Sequence, residues 1–148
     1  MYHDFDSVAA YRAALDLAID SAMQGEVLID VIDIVHDTID ENVYYSYFPE
    51  FHNRRMEAGG LSDKANLSPD YIAGSKTLHI QATAPWQNLG NFHYKDGRGI
   101  YNKDLSYVIE RKGLYNAPPR PFAQDAEKKL QSGIIDKALQ HAIIIRGL

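Results

Sequence analysis

From Phe5 to Tyr45 the chain returns an apolar side chain every third or fourth residue, and Gly25 breaks that rhythm. A period near 3.6 fits helix and not strand. Over residues 5–24, Val8, Tyr11, Leu15, Ala18, Ile19, Ala22 and Met23 share one side. Asp6 or Ser7 caps the start, because a side-chain oxygen there accepts from a free first-turn amide. From Glu26 to Tyr45 the stripe is Val27, Leu28, Val31, Ile32, Val35, Ile39 and Val43. Asp30, Asp33, Asp37, Asp40 and Glu41 lie largely off it, as expected of an amphipathic helix. Gly25 acts as a C-cap or as a kink, so a helical hairpin and one long bent helix both fit.

After Tyr44 the pattern changes. Tyr44, Tyr45, Tyr47, Phe48 and Phe51 crowd around Pro49, followed by Arg54, Arg55 and Gly59-Gly60, which predicts an ordered loop anchored by aromatic rings. Pro69–Gly74 and Lys76–Ala84 read as two strands joined at Gly74-Ser75. In the second, Leu78, Ile80, Ala82 and Ala84 alternate with His79, Gln81 and Thr83, the period of a half-buried strand. Residues 85–104, punctuated by Pro85, Gly90, Gly97 and Gly99, form a long loop, and Leu105–Lys112 a short segment. Pro118, Pro119 and Pro121 then fix the backbone dihedrals. A last helix is expected from Phe122 to Ile145, with Phe122, Ala126, Leu130, Ile134, Ala138 and Ala142 on one face. Gly133 weakens it by about 1 kcal/mol relative to alanine. The expected fold class is α+β: an N-terminal helix or helical hairpin, a small antiparallel β-sheet and a long C-terminal helix, in one domain spanning residues 1–148.

The chain of 148 residues carries a net charge of −5 and no dense basic stretch. Such a chain neutralises phosphates poorly, so sequence-independent nucleic-acid binding is not expected. The absence of cysteine excludes disulfides, thiolate metal sites and thiol catalysis. Neither a signal peptide nor a membrane span is expected. Ten tyrosines against five phenylalanines and one tryptophan are the unusual feature. Tyrosine suits partly wet interfaces, since its ring is apolar and its tip polar.

Chemistry has few candidates. Asp33, His36, Asp37 and Asp40 follow one another at helical spacing, so their side chains share a surface that could hold a divalent ion. The simpler reading is a solvated acidic helix face. His3, His52, His79, His93 and His141 scatter, with no His-Glu-x-x-His pair. His79 points to the solvent side of its strand. Lys95–Gly99 is glycine-rich but has no helix start after it to make a phosphate cradle. Arg54-Arg55, Arg111-Lys112 and Lys128-Lys129 are short basic pairs of the kind that water solvates. Arg120, fenced by prolines, is presented on stiff backbone, either to a neighbour's carboxylate or to its own fold. No catalytic residue, metal ligand or cofactor is nominated.

Two stretches carry a resemblance. Tyr44-Tyr45-Ser46-Tyr47-Phe48-Pro49, then Arg54-Arg55, then Gly59-Gly60-Leu61-Ser62-Asp63 resembles a segment of small structural proteins from phages of Gram-positive bacteria. Tyr107-Val108-Ile109-Glu110-Arg111-Lys112-Gly113, then Pro118-Pro119-Arg120-Pro121-Phe122, resembles the elements that precede the C-terminal helix in the siphophage head–tail joining and tail-completion family. Lys112 departs from that pattern, which runs more directly from Glu to Gly. The resemblance implies a non-enzymatic virion subunit, assembled in the host cytoplasm, that joins head and tail at the neck as a ring. Its partners would be copies of itself and adjacent neck or tail proteins. DNA would at most pass through an electronegative lumen, and no membrane would be involved. The expected subunit-interface residues are Tyr44, Tyr45, Tyr47, Phe48, Arg54, Arg55, Tyr107, Glu110, Pro118, Pro119, Arg120, Pro121 and Phe122. Two other functions fit the same residues: a soluble phage or bacterial binding module that targets a host protein, and a small metal-dependent enzyme using the Asp33–Asp40 face.

Overall fold

Ser7 opens the first helix. Its backbone is extended, and its hydroxyl accepts from the Ala10 amide at 3.1 Å, so of the two candidate caps Ser7 does the work. Helix α1 runs Val8–Gln24 and α2 runs Glu26–Ile39 in the computed structural model, which describes residues 5–46, 59–83 and 119–148. Only Gly25 separates the two helices. A helical hairpin needs a loop of about two to five residues, so this is a kink. Gly25 leaves helical geometry at φ −115° and ψ −105°, and a Cβ there would meet the Ser21 carbonyl oxygen at 3.1 Å. α2 continues into a π-helical turn, Asp40–Tyr45, and ends where the apolar stripe predicts.

The strands are β1, Leu67–Ile72, and β2, Thr77–Ala82, paired antiparallel with Leu67 opposite Ala82 and Ile72 opposite Thr77. β1 starts two residues before the expected span because a 3-10 turn over Lys64–Asn66 hands the chain directly into it. The Thr83 amide donates to the Asn66 carbonyl at 2.7 Å. Ladder bonds alternate along an antiparallel pair, so Pro69, opposite Ile80, occupies a non-bonded position where its missing N–H costs nothing. Leu78, Ile80 and Ala82 are half-buried while His79 and Gln81 are exposed, as the alternation requires.

The C-terminal helix occupies the expected residues but is broken. α3, Phe122–Lys129, passes through a π-helical turn over Leu130–Ile134 into α4, Ile135–Ile145. Gly133 stands at φ 88°, outside helical geometry. Gly147, at φ 79°, ends α4: its amide donates to Ile144 and the Leu148 amide to Ile143, the paired bonds of a Schellman closure.

The architecture is α+β and mostly helical. One core cluster gathers Ile39, Val43, Leu61, Leu67 and Phe122; a second gathers Ala22, Val27, Val31 and Ala142. Val35 and Ile80 pack against both. α3 lies on α2, and α4 lies on both α1 and α2. The inner face of the hairpin supplies the remaining cover, which suits a two-stranded sheet that would be marginal alone. The loop expected at 85–104 and the segment Leu105–Lys112 lie outside the described residues.

Gly133→Ala separates a weak helix residue from a true break. In a continuous helix alanine would stabilise by about 1 kcal/mol. At positive φ it should destabilise by roughly 1–2 kcal/mol, although nothing obstructs the added Cβ. Urea unfolding of the two proteins reads the sign.

Candidate interaction surface

The described parts of the two stretches that carry the phage resemblance, 44–46 with 59–63 and 119–122, meet in space. The Tyr44 hydroxyl accepts from the Leu61 amide at 2.9 Å. Asp63 ties the intervening corner together: one carboxylate oxygen accepts from the Gly59 amide at 2.8 Å and the other from the Ala65 amide at 2.9 Å. Asn66 donates to the Gly60 carbonyl at 2.8 Å. Gly59 takes φ 81°, a left-handed conformation that glycine adopts without penalty. The Gly59–Asp63 run is thus a self-bonded corner that delivers Leu61, 3% exposed, into the core.

From the other side, Arg120 donates through Nη1 to the Val43 carbonyl at 3.0 Å, within the π-helical turn. Asn42 donates to Asp125 at 2.9 Å, and Lys129 pairs with Glu41. Phe122 sits beside Ile39, Val43 and Leu61, 5% exposed. Of the two uses foreseen for Arg120, the bond to Val43 is the one within its own fold. Phe122 was expected among the interface residues and instead turns inward, because its ring fills the core cluster. Tyr44 is half-buried and Tyr45 is 64% exposed. Pro119 and Pro121 are exposed. Tyr47, Phe48, Arg54, Arg55, Tyr107, Glu110 and Pro118 lie outside the described residues.

The acidic face of α2 is less open than its pattern predicts. Asp33 accepts from Lys64 at 2.6 Å, and His36 contacts Asp37 at 3.0 Å through Nδ1. Asp40 is buried rather than solvated, with His36 Nε2 3.9 Å from its carboxylate. The reason lies further along the chain. The corner is pinned to Tyr44 by Leu61 and to Asp33 by Lys64, so it lies across the stretch between them. Asp40 Oδ1 and Ser62 Oγ are buried with no hydrogen-bond partner among the described residues. Among the described residues no three His, Asp or Glu side chains converge as a metal-binding group.

A second cluster fixes α1. Asp20 accepts from the Tyr71 hydroxyl at 2.6 Å and from Lys76 at 2.7 Å, tying the hairpin turn to the helix. Lys76 stands at φ 51°, and its bond to Asp20 holds that left-handed turn in place. The Lys76 bond, then the Tyr71 bond, hold the Asp20 carboxyl below its usual range. Burial, then the bond to Asp20, push the Tyr71 phenol up to about 12. Arg146 bonds to Glu26 at 3.0 Å and to the Ala142 carbonyl at 2.7 Å, fixing the end of α4 against the start of α2.

Held in this way, α1 leaves apolar surface uncovered. Val8 is 69% exposed and Leu17 71%; on α4, Ile144 is 67% exposed and Ile145 58%. Between the helices lies a shallow depression of about 340 Å³ bordered by Phe5, Leu17, Arg146 and Leu148. The sequence reading missed this surface. Its signal was present: Val8 and Tyr11 extend the stripe of α1 past the core, and Ile143-Ile144-Ile145 puts apolar side chains on several sides of one helical turn. The Asp20–Tyr71–Lys76 cluster had no such signal, because its members are far apart in sequence.

A family model described as YomN matches residues 8–144. The chain belongs to the YomN family. That family is phage-associated (Bacillus phage SPBc2-like). No curated protein and no solved structure matches the chain. The YomN match spans both stretches that meet at the seam between α2 and α3, together with α1 and most of α4. No described helix is long and apolar enough to cross a membrane.

Two measurements check this geometry. Phe122→Ala should destabilise the YomN-family chain by about 3–5 kcal/mol, the range for a buried aromatic ring, and Tyr44→Phe by about 1–3 kcal/mol for the stranded Leu61 amide; denaturant unfolding compares them. In an alkaline absorbance titration one tyrosine should ionise late, near 12, and Tyr71→Phe should remove that step. The unfolded chain releases this proton first, near 10. The Tyr71 contribution is therefore whole below pH 10 and disappears as pH rises through about 12. Asp20 has the opposite sign. Its contribution is present above its ordinary value of 3.8 and is lost as pH falls through the depressed folded value.

Proposed function

We propose that this chain is a non-enzymatic structural subunit of a tailed-phage virion that joins head and tail at the neck and assembles there as a ring. The observation that carries the reading is the phage-associated family of the chain, together with large apolar side chains left exposed on α1 and at the end of α4. The resemblance to head–tail joining proteins is what directs this reading to the neck. Exposed Tyr45, Pro119 and Pro121 fit a contact surface on stiff backbone, which limits the ordering entropy of binding.

In this reading Phe122, Leu61 and Tyr44 act from inside. They lock the two resemblance stretches into one seam, and the contacts are made by what that seam holds outward. The net charge of −5 would keep a lumen electronegative, so that DNA passes without adhering.

Deleting the gene from an infecting phage tests the assignment by electron microscopy of the lysate. Filled heads and separate tails are the expected products, with joining restored by the protein supplied in trans. Intact, infectious particles from the deletion would remove the assignment. Recovery of the chain bound to a single host enzyme would then favour the host-directed binding module.

A further inference from the structure

We propose that the outer edge of β2 pairs with the same edge of a second copy of this chain, joining two hairpins into one sheet. The proposal goes beyond the neck reading and does not rest on it.

The register decides which backbone groups are left over. Opposed residues in an antiparallel pair exchange bonds only at every second position. Thr83 donates to Asn66 at 2.7 Å, so the bonded pairs continue through Ser68–Gln81, Asp70–His79 and Ile72–Thr77. The N–H and C=O groups of Leu78, Ile80 and Ala82 therefore point away from β1. No described residue bonds to them, and the sheet has two strands. Such a row of donors and acceptors is a template for another strand. The opposite edge is not. There Leu67, Pro69 and Tyr71 point outward, and Pro69 has no N–H to give. The sheet is open at β2 and closed at β1.

The edge also sets what can lie beside it. An added strand must continue both faces of the hairpin. Its inward side chains meet Leu78, Ile80 and Ala82, which are half-buried on the two core clusters. Its outward side chains meet exposed His79 and Gln81. Like charges directly opposite each other destabilise a pair of strands. Thr77–Ala82 contains no Asp, Glu, Lys or Arg, in a chain whose net charge is −5. Two copies can meet there without bringing carboxylates together.

β2 itself fits these requirements. Laid antiparallel about a two-fold axis at Ile80, it sets Leu78 opposite the partner's Ala82, and Ile80 opposite the partner's Ile80. On the outward side His79 stands opposite the partner's Gln81, and Thr77 opposite the partner's Thr83. Apolar side chains meet apolar ones, polar meet polar, and each outward-pointing N–H finds a carbonyl. β1 of the copy is a poorer occupant, because Pro69 would stand where the central donor is needed. With Pro69 on both outer edges the joined sheet ends at four strands, so pairing gives a dimer and not a fibre. A ring is built from head-to-tail contacts; the two-fold pair is therefore a form of the free chain.

The test is the mass of the purified full-length chain, by light scattering coupled to size exclusion and by sedimentation across a dilution series. The wild type should run at twice 16.7 kDa and dissociate on dilution. Two double variants share His79→Lys, which stands opposite Asp70 within its own hairpin. His79→Lys with Gln81→Lys sets like charges across the two-fold pair and should raise the dissociation constant about tenfold. His79→Lys with Gln81→Glu sets opposite charges there and should hold the dimer at least as tightly as the wild type. Both should keep the wild-type far-ultraviolet circular dichroism spectrum. Hydrogen exchange read by NMR should show the Leu78, Ile80 and Ala82 amides slowed in the dimer and released on dilution, with the Tyr71 amide unchanged. A wild type that stays monomeric or runs beyond a dimer overturns the proposal. So does a dimer that weakens equally in both variants, or one whose β2 amides exchange as fast as in the monomer.

Discussion

Burial of Phe122 against Ile39, Val43 and Leu61 is the constraint on which the rest depends. It joins three pieces of chain that are distant in sequence: the end of α2, the Gly59–Asp63 corner and the start of α3. Each arrives by its own polar device. The corner is closed by Asp63 and caught by the Tyr44 hydroxyl; the proline-flanked turn is caught by Arg120 at the Val43 carbonyl. A π-helical turn at Asp40–Tyr45 departs from regular helical bonding where Arg120 binds. Functional sites often coincide with such turns; here the turn works as a socket for an internal arginine.

From this seam the exposure of α1 follows. α3 is fixed on α2, so α4 leaves Gly133 already aimed and covers only the C-terminal half of α1 with Ala138, Leu139 and Ala142. Asp20 and Tyr71 hold the same half of α1 from the hairpin side. The N-terminal half continues past the cover with Val8 and Tyr11 of its stripe exposed, while Leu17 projects from the other side of the helix. Rigid attachment at one end and exposure at the other is a suitable form for an element that docks onto something else.

The helices and the hairpin were legible because their signals are local. Periodicity gave α1 and α2 to within a few residues, and the alternation through Leu78, Ile80 and Ala82 gave β2 its inward face. The family to which the chain belongs is phage-associated, in keeping with the direction of the resemblance. What was illegible is nonlocal. Asp40 looked like one more solvated acid on α2, and its burial depends on a corner more than twenty residues further along the chain. Phe122 stood on the apolar face of the last helix, and only the resemblance put it among the contact residues; its packing with Ile39 and Leu61 turns it inward. Gly133 carried a propensity cost in a helix; its left-handed backbone and the break it makes are products of how α3 and α4 dock.

The central claim is a division of labour: the Tyr44–Phe122 seam is internal, and the apolar side chains exposed on α1 and α4 are external. A photo-crosslinking amino acid placed at position 17 or at position 122 in otherwise native phage particles tests it directly, with the products mapped by mass spectrometry. The account predicts intermolecular crosslinks from position 17 and only intramolecular ones, to the end of α2 and the Gly59–Asp63 corner, from position 122. Intermolecular crosslinks from position 122 with none from position 17 would contradict it.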